Sequence, residues 1–277
     1  MAVVTRFAPS PTGYLHLGHV HAAVRAFRAA RAAGGRFLVR MEDIDPQRCR
    51  PAFAAAALED LGWLGLAWDG EVRVQSAHMA EYRAVLAALA ARGLLYPCFC
   101  SRAEIAREVA AAGAAPHGAE GPLYPGTCRG LSDAARQARI ARGDPHAWRL
   151  DMGLARAGAP ALGFHEQNEG WVSADPGRFG DVVLGRRDVP ASYHLCVTHD
   201  DALQGVTLVT RAEDLKPATH LHVLLQHLMG WPTPHYAHHS LLAGADGVRF
   251  SKRDGALAIR ELRARGATPA ELLAMAG

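Results

Sequence analysis

The sequence predicts an α/β fold: a doubly wound parallel sheet carrying a small inserted subdomain. Three observations predict it. An apolar run, a helix-like stretch and a second apolar run follow one another within roughly 40 residues, the length of a parallel βαβ unit. A cysteine-bearing, Gly/Pro/Ala-rich stretch then breaks this texture. Regular α/β texture returns at DVVLGRR (181–187) and continues through GVTLVT (205–210).

Taken in order, AVVTRF (2–7) reads as a short buried strand. The stretch from about His19 to Ala33 has helical character, and Gly34-Gly35 is its stop signal. RFLVRME (36–42) reads as the second strand, followed by helices near 51–61 and 78–92. Ser101 and Glu104 form a capping box that opens a further helix. AAGAAPHGAEGPLYPG has the composition of a loop. A helix is expected from about Thr219 to Met229, and Thr268-Pro269 with Glu271 announce a last one. The expected organisation is a first catalytic half (1–96), an insertion (97–180), a second half (181–240) and a loop with a short helical segment (241–277).

A net charge of +3 excludes a strongly basic nucleic-acid coat, so any RNA contact must come from a local patch. Only Lys216 and Lys252 are lysine; every other basic charge is arginine. Five cysteines in 277 residues do not make a disulfide framework. No charged-then-apolar leader and no run of about 18 apolar residues is present, so a reduced, cytoplasmic protein with no membrane partner is expected, as a monomer.

The segment RFAPSPTGYLHLGH (6–19) leaves the first strand, turns at two prolines and a glycine, and enters a helix between His16 and His19. A helix N-terminus at the carboxyl end of a strand offers unpaired N–H groups and a positive dipole end. Gly18 lets a ligand approach the backbone, and two imidazoles beside it suit nucleotide phosphates. A surface turn with two solvated histidines, or a metal-binding pair at i and i+3, fits the same spacing. A second element, RFSKRDGA, is bounded by glycines at Gly247 and Gly255 and places Lys252 among Arg249 and Arg253, cations that suit a leaving pyrophosphate. Alone, it also reads as an ordinary charged loop.

PSPTGYLHLGH and RFSKR resemble the HIGH and KMSKS motifs of the class I aminoacyl-tRNA synthetases. With RMEDID and DDALQGVTLVTRAEDL, the resemblance narrows to the glutamyl subgroup and covers nearly the whole chain. Leu17 stands where the first motif has isoleucine, and Arg249-Phe250 stand where the second has Lys-Met; both keep the apolar or cationic character. The resemblance implies a Rossmann-type catalytic domain. It also implies a reaction in which the glutamate α-carboxylate attacks the α-phosphate of Mg²⁺-bound ATP, giving glutamyl-adenylate and pyrophosphate. His16, Gly18 and His19 would bind ATP, and Lys252 would stabilise the leaving pyrophosphate. Positioning and electrostatics would carry the step, with His16, His19 and Lys252 as the catalytic groups.

A glutamate site needs guanidinium for carboxylate and an acid for ammonium. Arg6, Glu42 and Arg211 all fall at the ends of predicted strands, at one sheet edge, and Tyr193 adds a hydroxyl. By resemblance, Arg6, Phe7, Ala8, Pro9, Ser10, Glu42, Tyr193 and Arg211 match the family's glutamate-binding positions. Structural salt bridging is the alternative for each residue taken singly.

Cys98, Cys100 and Cys128 offer three thiols within about 30 residues, whereas a structural zinc site takes four ligands. His117 is the candidate fourth ligand by chemistry. Tyr124 is the one implied by the resemblance, and three reduced cysteines without metal remain the alternative. Arg136, Arg139 and Arg142 line one helix face, suited to RNA phosphates or to plain solvation.

Lys252 is followed by 25 residues, too few for the large helical region with which glutamyl-tRNA synthetases read an anticodon. The resemblance is therefore strongest to the glutamyl-Q tRNA(Asp) synthetases, short relatives with the same zinc pattern. That family activates glutamate without tRNA and transfers it to queuosine at the wobble position of tRNA(Asp). The rival readings are a minimal glutamyl-tRNA synthetase charging a 3′ end, a small-molecule nucleotidyltransferase, and a catalytically idle, zinc-stabilised tRNA-binding protein.

Overall fold

The computed structural model describes residues 2–111, 117–118, 121–242 and 257–277. In chain order the elements are β1 (Val4–Phe7), α1 (Leu17–Ala32), β2 (Arg36–Met41), α2 (Pro51–Trp63), β3 (Arg73–Val74), α3 (Met79–Ala91) and β4 (Leu95–Cys98). They continue as α4 (Arg102–Ala111), β5 (His117–Gly118), β6 (Gly121–Pro122), α5 (Asp133–Ala141), β7 (Ala147–Leu150), α6 (Met152–Arg156), β8 (Gly163–Glu166) and β9 (Gly170–Ser173). The last are β10 (Val183–Gly185), α7 (Tyr193–Leu203), β11 (Leu208–Ala212), α8 (Lys216–Met229), β12 (His235–His239), α9 (Ile259–Ala264) and α10 (Pro269–Met275).

The first half forms the expected βαβ unit. β1 pairs parallel to β2, with Val4 opposite Arg36, and β3 extends the sheet beside β2. Gly35 permits the tight return from α1, because a Cβ there would lie 1.9 Å from Val3 O. The second half adds parallel β11, β12 and β8, closed by antiparallel β9. The two halves are joined where Val4 and Thr207 exchange two hydrogen bonds of 2.9 Å. Farther along, the Arg6 side chain reaches Thr210 O at 3.2 Å. Here the strand order reverses, with β2 on one side of β1 and β11 on the other, and doubly wound sheets bind their ligands at such a point.

Two features differ from the sequence reading. DVVLGRR does not resume a parallel sheet: β10 pairs antiparallel with β7, which pairs antiparallel with β4. β8 lies inside the stretch read as an insertion yet pairs with β12, Tyr236 opposite Glu166. The sheets are therefore mixed, and their pairing crosses positions 97 and 180. A strand of three or four residues shows no periodicity of its own, so its partner is chosen by tertiary packing.

α1 turns Leu17, Val20 and Val24 inward at i, i+3 and i+7 against Phe37 and Val39 of β2 and Leu61 of α2. Ile259, Leu272 and Ala276, from α9, α10 and the residue after it, complete this core, so the end of the chain packs on its first helix. A second core joins α3, α7 and α8 to the antiparallel sheet through Leu89, Leu150, Leu184, Leu195 and Leu221. Each such fully buried leucine contributes about 1.5–3 kcal/mol of transfer free energy. Among the described residues, no helix is long and apolar enough to cross a membrane.

Candidate active site

At the point of strand reversal lies a cavity of about 480 Å³. The residues from the end of β1 and the turn after it (Arg6, Phe7, Ala8, Pro9, Ser10) line it together with Glu42, Tyr193 and Arg211. His16, Gly18 and His19 line the same cavity. Every sequence-derived glutamate or ATP residue within the described part of the chain is thus brought into one space. Lys252, Arg249 and Arg253 lie outside the described residues.

The histidine turn is built by capping. His16 is the N-cap of α1 and accepts at Nδ1 from the Gly18 N–H at 3.2 Å. Three residues on, His19 Nδ1 accepts from the His16 N–H at 3.1 Å. The pair repeats the logic of a Ser/Glu capping box with two imidazoles, whose rings lie 3.8 Å apart. A ring that accepts at Nδ1 carries its proton on Nε2, so both histidines hold a donor suited to phosphate oxygen. The exit of the segment holding Lys252 is fixed to the same turn: Ile259 N–H donates to Leu15 O at 2.8 Å, and Ala258 bridges His16.

The same lining carries charge. Arg6 is 5% exposed and donates from Nε to Asp201 Oδ1 at 3.0 Å. Asp201 also accepts from Arg40 at 2.8 Å, and Arg40 reaches Glu42 at 3.2 Å. Arg40 is fully buried among Asp200, Asp201 and Glu42, whose charges hold its guanidinium protonated against burial. Burial pushes the Glu42 carboxyl above its ordinary range, against the pull of Arg40 and Arg6. Burial also raises the Tyr193 phenol, with Arg211 opposing.

Arg211 is held differently. Its Nε donates to His238 Nε2 at 3.2 Å, Nη1 to His222 Nδ1 at 3.3 Å and Nη2 to Thr219 Oγ1 at 2.6 Å. No carboxylate among the described residues pairs with it directly. Burial beside Arg211 depresses His222 well below the usual imidazole range. His238 is pushed down to about 4 by burial, although Glu166 opposes this. Both rings are therefore neutral acceptors at pH 7.

The remaining sequence candidates form a separate cluster. The Sγ atoms of Cys98, Cys100 and Cys128 lie within 4.8 Å of one another, a group able to hold a metal ion. Cys100 and Cys128 are 3.4 Å apart, and the Tyr124 hydroxyl is 3.4 Å from Cys100 Sγ. That hydroxyl accepts from the Cys128 backbone N–H at 2.9 Å, which holds the Tyr124 side chain at the cluster. The side chain of His117 lies outside the described ones. Arg136, Arg139 and Arg142 are drawn to partners within the chain: Arg139 stacks 4.1 Å over Phe99, and Arg139 and Arg142 both pair with Asp144. Arg136 bonds Asp133 and the Arg129 carbonyl.

The family model of class I tRNA synthetases (E and Q), catalytic domain, matches residues 2–276. A curated glutamyl-Q tRNA(Asp) synthetase from Rhodobacter capsulatus is 48% identical over 99% of this chain and 100% of its own length. The chain belongs to the glutamyl-Q tRNA(Asp) synthetase family.

A second member, from Symbiobacterium thermophilum, is 44% identical over 95% of this chain and 82% of its own. Among solved structures, a glutamate tRNA ligase from Elizabethkingia meningosepticum in complex with its amino acid matches with a TM-score of 0.78 and 30% identity. It is covered over 53% of its length, so the chain spans about half of that ligase. As a class I ligase of the glutamyl-Q tRNA(Asp) synthetase family, the chain is expected to use ATP with Mg²⁺. The residues that the sequence reading missed in this synthetase are the supports: Arg40, Asp201, Thr219, His222, Glu166 and His238. Asp201 stands within the DDALQG segment that marks the glutamyl subgroup, and His238 within HYAHH; neither carries a local pattern that singles it out.

Proposed function

We propose that the chain activates glutamate with ATP, without tRNA, and transfers the glutamyl group to queuosine at the wobble position of tRNA(Asp). The observation that carries the reading is that one cavity is lined both by Arg211, Arg6 and Glu42 and by the His16–His19 turn. Arg211 takes the side-chain carboxylate, since no acid among the described residues neutralises it directly. Glu42 and the Tyr193 hydroxyl take the ammonium side. A glutamate α-carboxylate oxygen then attacks the α-phosphorus of ATP, and the bond to pyrophosphate breaks. His16 and His19 donate to phosphate oxygens through Nε2–H, while Lys252 and Mg²⁺ neutralise the departing charge. In the second step, a hydroxyl of queuosine attacks the acyl carbon, AMP leaves with the bonding electrons, and the hydroxyl proton is released.

Queuosine and tRNA(Asp) as acceptor are supported by relatives of that name, matched over 82–100% of their own length. Zinc at Cys98, Cys100, Tyr124 and Cys128 is supported by convergence of three sulfurs and a phenolic oxygen, a tetrahedral donor number of the right softness. The role of zinc would be structural, pinning a stretch with a small core of its own around Tyr96, Phe99 and Cys128. The reading places the protein in the cytoplasm, as a monomer.

The test uses labelled glutamate, ATP and queuosine-containing tRNA whose 3′ ends have been destroyed by periodate with the queuosine diol protected. Label recovered on an internal nucleoside after digestion supports the reading. Label entering only untreated tRNA means 3′ charging and overturns it in favour of a minimal glutamyl-tRNA synthetase.

A further inference from the structure

Arg211 has five N–H groups, and the framework takes three of them: Nε by His238, one on Nη1 by His222 and one on Nη2 by Thr219. One hydrogen remains on each terminal nitrogen, the pair a carboxylate needs for a two-point contact. This division holds only while both imidazoles accept. His238 accepts at Nε2 because its proton sits on Nδ1, which donates to Glu166 Oε2 at 2.5 Å. Glu166 Oε1 meanwhile accepts from the His238 backbone N–H at 2.9 Å. His222 accepts at Nδ1 because its Nε2–H is directed to His194 Nδ1 at 3.0 Å. A buried carboxylate two hydrogen bonds removed from the cavity thus dictates that a lone pair, not a proton, faces Arg211.

We propose that Glu166 and His238 are positioning residues that set the preference of the cavity for a side-chain carboxylate over an amide. Glu166 locks the His238 tautomer, and the locked ring aims the Arg211 guanidinium while leaving its charge unneutralised. A carboxylate in direct contact with Arg211 would satisfy the same hydrogen bond but cancel the charge that distinguishes glutamate from glutamine. A neutral imidazole in between supplies the bond and keeps the charge. The inference rests on the assignment of glutamate as the amino acid activated.

Glu166→Gln is the deciding variant, because it is isosteric. Glutamine has one acceptor for two donors, the His238 N–H and Nδ1–H, so it must either break the backbone bond or turn the ring proton toward Arg211 Nε–H. Glutamate-dependent ATP–pyrophosphate exchange and calorimetric glutamate binding are measured on the full chain. Expected in Glu166→Gln are a glutamate KM and Kd raised tenfold or more, an ATP KM within twofold, and a smaller ratio of glutamate to glutamine kcat/KM. His238→Gln offers an oxygen near the Nε2 position and His238→Asn offers one near Nδ1. The asparagine variant is expected to raise the glutamate KM at least tenfold more than the glutamine variant does. Glu166→Gln added to His238→Gln is expected to cost less than twofold, because no tautomer is left to flip. A glutamate KM unmoved by Glu166→Gln, or equal KM values in the two His238 variants if Glu166→Gln fails to fold, overturns the inference and leaves glutamate activation standing. A wild-type chain that neither binds glutamate nor supports exchange overturns the underlying assignment as well.

Discussion

Arg6 Nε lies 3.0 Å from Asp201 Oδ1, and both side chains are almost wholly buried between the start of the chain and α7. Asp201 also holds Arg40, so one carboxylate stands between two buried guanidinium groups. Burial alone would raise the carboxyl, but the two arginines hold it below the ordinary carboxylate range. Asp201→Asn keeps the shape and removes the charge that both arginines face. Urea unfolding at neutral pH is expected to show a loss of about 3–5 kcal/mol, the cost of breaking a buried pair from one side. A loss below 1 kcal/mol would mean that Glu42 and Asp200 carry Arg40 without it.

Glu42 gives the cavity a pH dependence of known sign. Its carboxyl is raised by burial, so it takes up a proton at a higher pH than an ordinary glutamate as acid is added. Protonation removes the partner of the substrate ammonium. The glutamate KM for exchange is therefore expected to rise as pH falls from 8 toward 5.5. Glu42→Gln should raise that KM about tenfold at pH 8, the scale of one charge-assisted hydrogen bond, and flatten the acid limb. A variant that keeps the wild-type limb would assign it to another group.

The cysteine cluster predicts a metal count. One zinc per chain is expected by elemental analysis, and Cys128→Ser should lower it well below one. Chelator treatment should make the three clustered thiols of Cys98, Cys100 and Cys128 newly reactive toward a thiol reagent. Exchange with glutamate and ATP should survive, because none of the four candidate ligands lines the cavity at the strand reversal.

Asp60 sits on α2 beside Glu59, and its Oδ2 is buried without a hydrogen-bond partner. Burial, with Glu59 adding to it, pushes its pKa up to about 6. A carboxyl raised in the folded state binds more protons folded than unfolded between about 4 and 6, so the folded state loses stability as pH rises through that window. At pH 7.5, Asp60→Asn is expected to stabilise the chain by about 1 kcal/mol after solvent screening, roughly 2 °C in Tm. The gain should vanish near pH 4, where the wild-type residue is itself neutral. An equal gain at both pH values would trace it to packing instead.

Legibility followed whether a signal is local. β1, α1 and β2 stand within a few residues of where the sequence reading puts them, because apolar runs and glycine stops lie side by side. The Ser101–Glu104 and Thr268–Glu271 capping boxes close as their spacing requires. β12 escaped notice because HYAHH has no apolar run, and its pairing with β11 and β8 makes it a strand. β8 escaped because its partner Tyr236 is distant in sequence. At the cavity, Arg6, Glu42 and Arg211 were visible as charges at strand ends. The groups that hold them, Asp201 on α7 and Thr219 and His222 on α8, sit in helix interiors where a polar residue resembles any other.

Val4 finds its hydrogen-bond partner 203 residues later, Arg6 its counter-charge 195 residues later, and His21 of the histidine helix contacts the Ala276 carbonyl, 255 residues later. A ribosome adding about 5–20 residues per second needs roughly 10–40 s to supply the first two. For that whole interval, one edge of β1 and the bare charge of Arg6 emerge before anything that completes them. β1 therefore waits on α7 and β11 for its partners, and a codon-level slowdown in that part of the message would lengthen its exposure.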